Sequence, residues 1–143
     1  MLRMAAAGAL LSLAACGARA PAPPPDLAGA GVGIALRSKE VPSGATQTIE
    51  IFEALNPDCS LEGYPSVHIL RPPANGRMTI EVGAVHTDFP AGDVRAKCNP
   101  LSTPAILLGY ASKPGYAGTD TAMVEVLFPM GAVRTLEYRI LVR

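Results

Sequence analysis

Two histidines and two internal cysteines are the residues whose types could carry chemistry, and their spacing limits what that chemistry is. His68 and His86 both precede Cys98, and no histidine follows it. A blue-copper site needs two imidazoles and a thiolate, with one imidazole soon after the cysteine, so this order argues against one. Zinc fares no better, because closely spaced ligands are lacking. Cys59 and Cys98 do not form a Cys-x-x-Cys redox pair. There is no Gly-x-Ser-x-Gly elbow and no glycine-rich phosphate loop ahead of a helix. The acidic residues are scattered singly along strands, as solvent-facing positions require, and are not set out as a hydrolytic pair. The expectation is therefore no catalytic residue, no metal and no cofactor. A minor alternative keeps a metal-binding or enzymatic domain using His68 and His86, which would neighbour each other across a hairpin.

Charge excludes another class. The chain has 143 residues, with 12 basic against 12 acidic side chains. That balance offers no basic stripe for nucleic acid. The first 15 residues, MLRMAAAGALLSLAA, hold a positive Arg3 and a short apolar run from Met4 to Leu13. A membrane span needs about 20 apolar residues, so the run reads as the core of a signal peptide. Leu13-Ala14-Ala15-Cys16 then resembles the bacterial lipobox. That resemblance implies cleavage before Cys16, a diacylglyceryl group on its thiol and a further acyl chain, such as palmitate, on its amine. Each buried methylene contributes about 0.8 kcal/mol, so two or more chains hold firmly to a bilayer. Gly17 stands where inner-membrane lipoproteins of enteric bacteria carry Asp. By resemblance it favours the outer membrane, facing the periplasm, with the inner membrane and cell surface as alternatives. An ordinary secretory signal with an incidental cysteine is the plainer rival.

Residues 16–32 read as the lipidated cysteine and a tether. Pro23-Pro24-Pro25 favours extended polyproline II, and the Ala/Gly section beyond is looser. Once Cys16 is acylated, Cys59 and Cys98 remain as an even pair in an oxidising compartment, which reads as a disulfide. Closing a loop of that length contributes about 4 kcal/mol in the chain-entropy account.

The elements that must position these residues are strands. Gly and Pro number 14 each, which suits short strands and tight turns. Alternation predicts strands at Ile34–Lys39, Thr48–Leu55 with Ile49 and Ile51 on one face, Val67–Arg71 and Arg77–Val82. In the last of these Met78, Ile80 and Val82 turn inward. A weaker run follows at Ala84–Phe89, then Ile106–Ala111. The clearest pair is Ala122–Phe128 and Thr135–Val142, joined by Pro129-Met130-Gly131. About eight short strands over residues 33–143 point to an all-β domain, an antiparallel β-sandwich of 7–8 strands with one disulfide, and a small closed barrel is the alternative.

Residues 104–143 are similar to the C-terminal half of bacterial immunoglobulin-like and cadherin-like repeat domains. Tyr110, then Pro114-Gly115-Tyr116-Ala117-Gly118-Thr119-Asp120, then Gly131 and Ile140-Leu141-Val142 carry the likeness. Pro73 to Ile80 resembles the Pro-x-x-Gly start of a strand in that family. The two Asn-Pro steps, Asn56-Pro57 and Asn99-Pro100 beside the cysteines, resemble small exported proteins of alphaproteobacteria, a group that brings no activity with it. The family implies an immunoglobulin-like sandwich. The clustered Asp and Asn ligands of calcium-binding cadherins are missing from this sequence, and only one unit is present.

Within the 114–120 motif, Gly115 and Gly118 suit positive φ, Asp120 suits backbone amides and Tyr116 suits a plug at the sandwich end. A binding loop is the functional rival. Arg95 and Lys97, with Asp93 nearby, form a polar segment beside the cysteine. Arg95, Lys97, Tyr116 and Asp120 are thus the candidate contact residues. The expected role is a non-catalytic binding or structural module held in the envelope by acylated Cys16, touching an envelope protein or wall polymer. The alternative is an accessory subunit of an envelope assembly or secretion machine.

Overall fold

Alternating apolar residues bury one face of a strand, and two such faces make a core. The computed structural model describes residues 33–143; the expected signal peptide, the expected lipidation site at Cys16 and the expected tether lie outside the described residues. Seven strands run in order: β1 (Ile34–Val41), β2 (Thr46–Phe52), β3 (Ser66–Arg71), β4 (Gly76–His86), β5 (Ser102–Ser112), β6 (Gly118–Leu127) and β7 (Val133–Val142). One 3-10 turn, Ala96–Cys98, precedes β5. The strands form two sheets, ordered β1-β7-β6-β3 and β2-β5-β4. This is an immunoglobulin-like β-sandwich, and its two separate sheets exclude the closed barrel.

The core follows the alternation of β5, β6 and β7. Ile106, Leu108 and Tyr110 of β5 face Val124 and Val126 of β6 and Leu136, Tyr138, Ile140 and Val142 of β7, all buried. Burying such side chains contributes about 1.5–3 kcal/mol each. At the β1/β2 flank an ion pair spans the sheets, Lys39 Nζ to Glu50 Oε2 at 3.3 Å.

Four expectations change. The sheets are antiparallel except at β1, which runs parallel to β7 from Ile34 opposite Thr135 to Val41 opposite Val142. The run at 77–82 and the first part of that at 84–89 are one strand, β4, because Gly83 lies within an unbroken register against Ala105, while residues 87–89 fall beyond its end at His86. Ile49 and Ile51 do not share a face. A register shift between Thr48 and Glu50 leaves Ile49 and Phe52 buried and turns Ile51 outward, as one extra residue in a strand does. The hairpin expected to bring His68 and His86 together does not form at the turn over residues 72–76. That turn carries the chain from one sheet to the other, so β3 and β4 are not hydrogen-bonded neighbours.

The cysteines are joined as expected. Cys59 and Cys98 form a disulfide across a sequence separation of 39, with Cα atoms 5.5 Å apart. Cys59 sits at φ 70°, a left-handed position more often given to glycine. It closes a short turn in which its N–H donates to the Asn56 carbonyl at 2.9 Å.

Candidate functional site

The two ends of the sandwich differ in chemistry. One end gathers the β2–β3 loop (53–65), the β4–β5 loop (87–101) and the β6–β7 turn (128–132), and the disulfide ties the first two together. The other end gathers residues 42–45, 72–75 and 113–117.

A cavity of about 310 Å³ opens at the disulfide end, lined by Phe52, Glu53, Glu62, Phe89, Arg95, Phe128 and Arg134, with Ile51 and Ala54. Arg95 is held on three sides. Its Nε and Nη2 donate to Asp93 Oδ1 and Oδ2 at 2.9 and 2.7 Å, and its backbone N–H donates to Oδ1 at 2.9 Å. Its guanidinium lies 4.5 Å from the Phe89 ring centroid. Phe89 is fixed in turn by Asn99. The Asn99 side chain accepts from the Phe89 N–H and donates to the Phe89 carbonyl, both at 2.9 Å, and also accepts from Thr87 Oγ1 at 2.8 Å. A second stack, Arg134 over Phe128 at 4.7 Å, stands on the β6–β7 side. In such cation–π stacks the guanidinium is attracted to the electron-rich face of the ring.

The carboxylates respond to these neighbours. Hydrogen bonds from Arg95 hold the Asp93 carboxyl down at about 2. Glu53 moves the other way: burial raises it, and the Arg95 charge only partly opposes that. Glu53 and Glu62 take part in none of the ion pairs within 4.0 Å among the described residues. The lining carries no hydroxyl, thiol or imidazole. What this arrangement offers is a charged, aromatic cup lined by two stacked guanidiniums and by two carboxylates that have no ion-pair partner among the described residues.

The four candidate contact residues fall into three settings. Arg95 lines the cavity, while Lys97 is exposed in its 3-10 turn and is not part of the lining. Tyr116 and Asp120 stand at the opposite end, so no single contact loop contains all four. Asp120 is buried and accepts from the Ala74 N–H (3.0 Å), the Asn75 N–H (2.8 Å), the Tyr110 hydroxyl (3.0 Å) and the Thr121 N–H (2.9 Å). Tyr116 donates its hydroxyl to the Thr119 carbonyl at 2.9 Å and packs against the core. Its geometry is that of a corner brace. Gly115 and Gly118 have φ of 76° and 143°.

His68 and His86 are not neighbours across a hairpin. His68 pairs with Glu125 in one sheet and His86 with Ser102 in the other. Among the described residues no group of three or more His, Cys, Asp or Glu side chains is placed to hold a metal ion. Sequence reading missed Glu53, Glu62, Phe128, Arg134 and the clamp Asn99. The one signal available was the Cys98-Asn99-Pro100 step, which marks Asn99 as a turn residue.

No family model and no curated protein matches the chain. Among solved structures, the solution structure of Amebosin is similar over 78% of this chain and 100% of that chain, with 13% identity and a TM-score of 0.40. That likeness is too remote to bear on function.

Proposed function

We propose that the chain is a lipid-anchored envelope protein whose β-sandwich is a non-catalytic binding module, with the disulfide-end cup as its contact surface. The observation that carries the binding reading is the convergence there of Glu53, Glu62, Arg95 and Arg134 around three phenylalanines. Arg95 is held there by bidentate pairing with Asp93 and by stacking on Phe89, which Asn99 clamps in turn. Placement in the envelope rests on Leu13-Ala14-Ala15-Cys16 and is supported by the Cys59–Cys98 bridge, which suits an oxidising compartment. The partner of such a cup is an envelope protein or wall polymer that presents a charged group beside an apolar one.

Two measurements test the two halves. Mass spectrometry of the mature chain should find acyl mass on Cys16, and Cys16→Ala should move the protein from the membrane to the soluble fraction. A bare Cys16, or unchanged fractionation, removes the anchor. Crosslinking in intact cells should yield adducts that fall at least fivefold with Arg134→Glu or Glu62→Lys and persist with Lys113→Glu at the other end. Adducts indifferent to the cup, or none under any condition, remove the binding reading.

A further inference from the structure

Each sheet of a sandwich ends in strands with unpaired backbone groups, and proteins normally blunt those edges against self-pairing. Three of the four edges here are blunted. β2 carries a register shift between Thr48 and Glu50, and β3 one between Ile69 and Arg71, followed by Pro72-Pro73. β1 points Arg37 and Lys39 to the core side, opposite buried Tyr138 and Ile140. β4 has none of these devices. It runs eleven residues in unbroken register with β5 and contains no proline. Its core-side residues include Ile80 and Val82, opposite buried Leu108 and Ile106, yet these are 42% and 63% exposed. Among the described residues, inward-facing apolar side chains thus lie uncovered beside a smooth, open edge.

We propose that two copies of this chain pair through β4, antiparallel about a two-fold axis at Thr79, joining two three-stranded sheets into one of six. The charges on β4 choose both the occupant and the register. Arg77 and Glu81 point to the outer face, opposite Ala111 and Leu107, and neither enters an ion pair or side-chain hydrogen bond among the described residues. With the axis at Thr79, Arg77 of each copy stands opposite Glu81 of the other, so both ion pairs form at once, as an isologous contact requires. On the core side the same register sets Met78 opposite the second copy's Ile80. An axis at Glu81 would set two carboxylates face to face, and an axis at Met78 or Ile80 would leave both charges unmatched.

The test uses the full chain with Thr79→Cys, run on non-reducing gels. The parent chain reports any bridge made by Cys16, and Thr121→Cys, on the outer face of β6, reports random collision. Thr79→Cys should crosslink several-fold more than Thr121→Cys. Adding Arg77→Glu or Glu81→Arg should lower that yield at least fivefold, and the two reversals together should restore it to within twofold. Sedimentation of the chain with its natural Thr79 should show a dimer that follows the same charge pattern, independent of the new cysteine. Crosslinking no better than at residue 121, or single reversals without effect, or a double reversal that stays monomeric, overturns the proposal.

Discussion

At the residue scale, two carboxylates that feel the charge of one guanidinium have opposite consequences for stability. Asp93 is held down to about 2 from 3.8 by Arg95. A depressed carboxyl contributes stability above its unfolded pKa and loses it as pH falls through the folded value. Urea midpoints should therefore drop between pH 4 and pH 2 by more in the parent chain than in Asp93→Asn. Glu53 is raised by burial, so it works against folding when ionised. Its contribution is favourable below about 4.5, the ordinary value, and is lost as pH rises through the elevated one. Glu53→Gln should raise the urea midpoint at pH 7, and the gain should vanish below pH 4. A stabilising Glu53→Gln would mark Glu53 as a side chain kept for contact and not for the fold. The sequence made Arg95 visible, because a basic residue beside a bridging cysteine is conspicuous. It hid Glu53 and Glu62, nine residues apart on the β2–β3 loop, and Arg134 near the start of β7, which have no common period.

At the element scale, period-two alternation reveals which face of a strand is buried but not which strand it pairs with. That is why β6 and β7 were legible almost residue by residue, while the 72–76 turn looked like a hairpin. What holds that turn as a crossing between sheets is Asp120 at the start of β6, which accepts the Ala74 and Asn75 N–H groups and the Tyr110 hydroxyl of β5. Asp120 therefore fastens three elements, and the exposed edge of β4 begins where it lets go. Replacing a buried acceptor leaves each donor unsatisfied, at about 1–3 kcal/mol per group. Asp120→Ala should destabilise the domain by at least about 3 kcal/mol in urea unfolding. Tyr110→Phe removes one donor and leaves the carboxylate three others, so it should cost only about 1 kcal/mol. Equal losses in the two variants would mean that the backbone amides find water and that the crossing does not depend on the carboxylate. The bulge in β2 was invisible for a related reason: Ile49 and Ile51 satisfy the alternation, and only the register against β5 shows the extra residue.

At the scale of the whole molecule, the sandwich is polar in the sense that its two ends do different work. The first residues of β1 pair with the first residues of β7, so the chain enters the domain at the same end as the cup and the disulfide. If Cys16 is acylated, the cup is the tethered end, and 17 residues of spacer reach at most about 60 Å from the bilayer. That end has the least regular structure. Its two long loops have no sheet of their own, and Cys59–Cys98 is the covalent bond that joins them. The fold's stability and the cup's shape are therefore coupled through one bridge. Removing it with Cys59→Ser and Cys98→Ser should reduce stability by about 4 kcal/mol, a large share of the roughly 5–15 kcal/mol that holds a domain folded. Hydrogen exchange should locate the loss. Protection should fall first in residues 53–65 and 87–101, while the β6–β7 ladder, buried in the core, keeps its order at moderate denaturant. A uniform loss across both ends would mean that the bridge acts only on the unfolded chain and that the cup is shaped by its hydrogen bonds alone. Loss confined to the two loops would make the disulfide the element that couples compartment to contact surface, since only an oxidising environment would then assemble the cup.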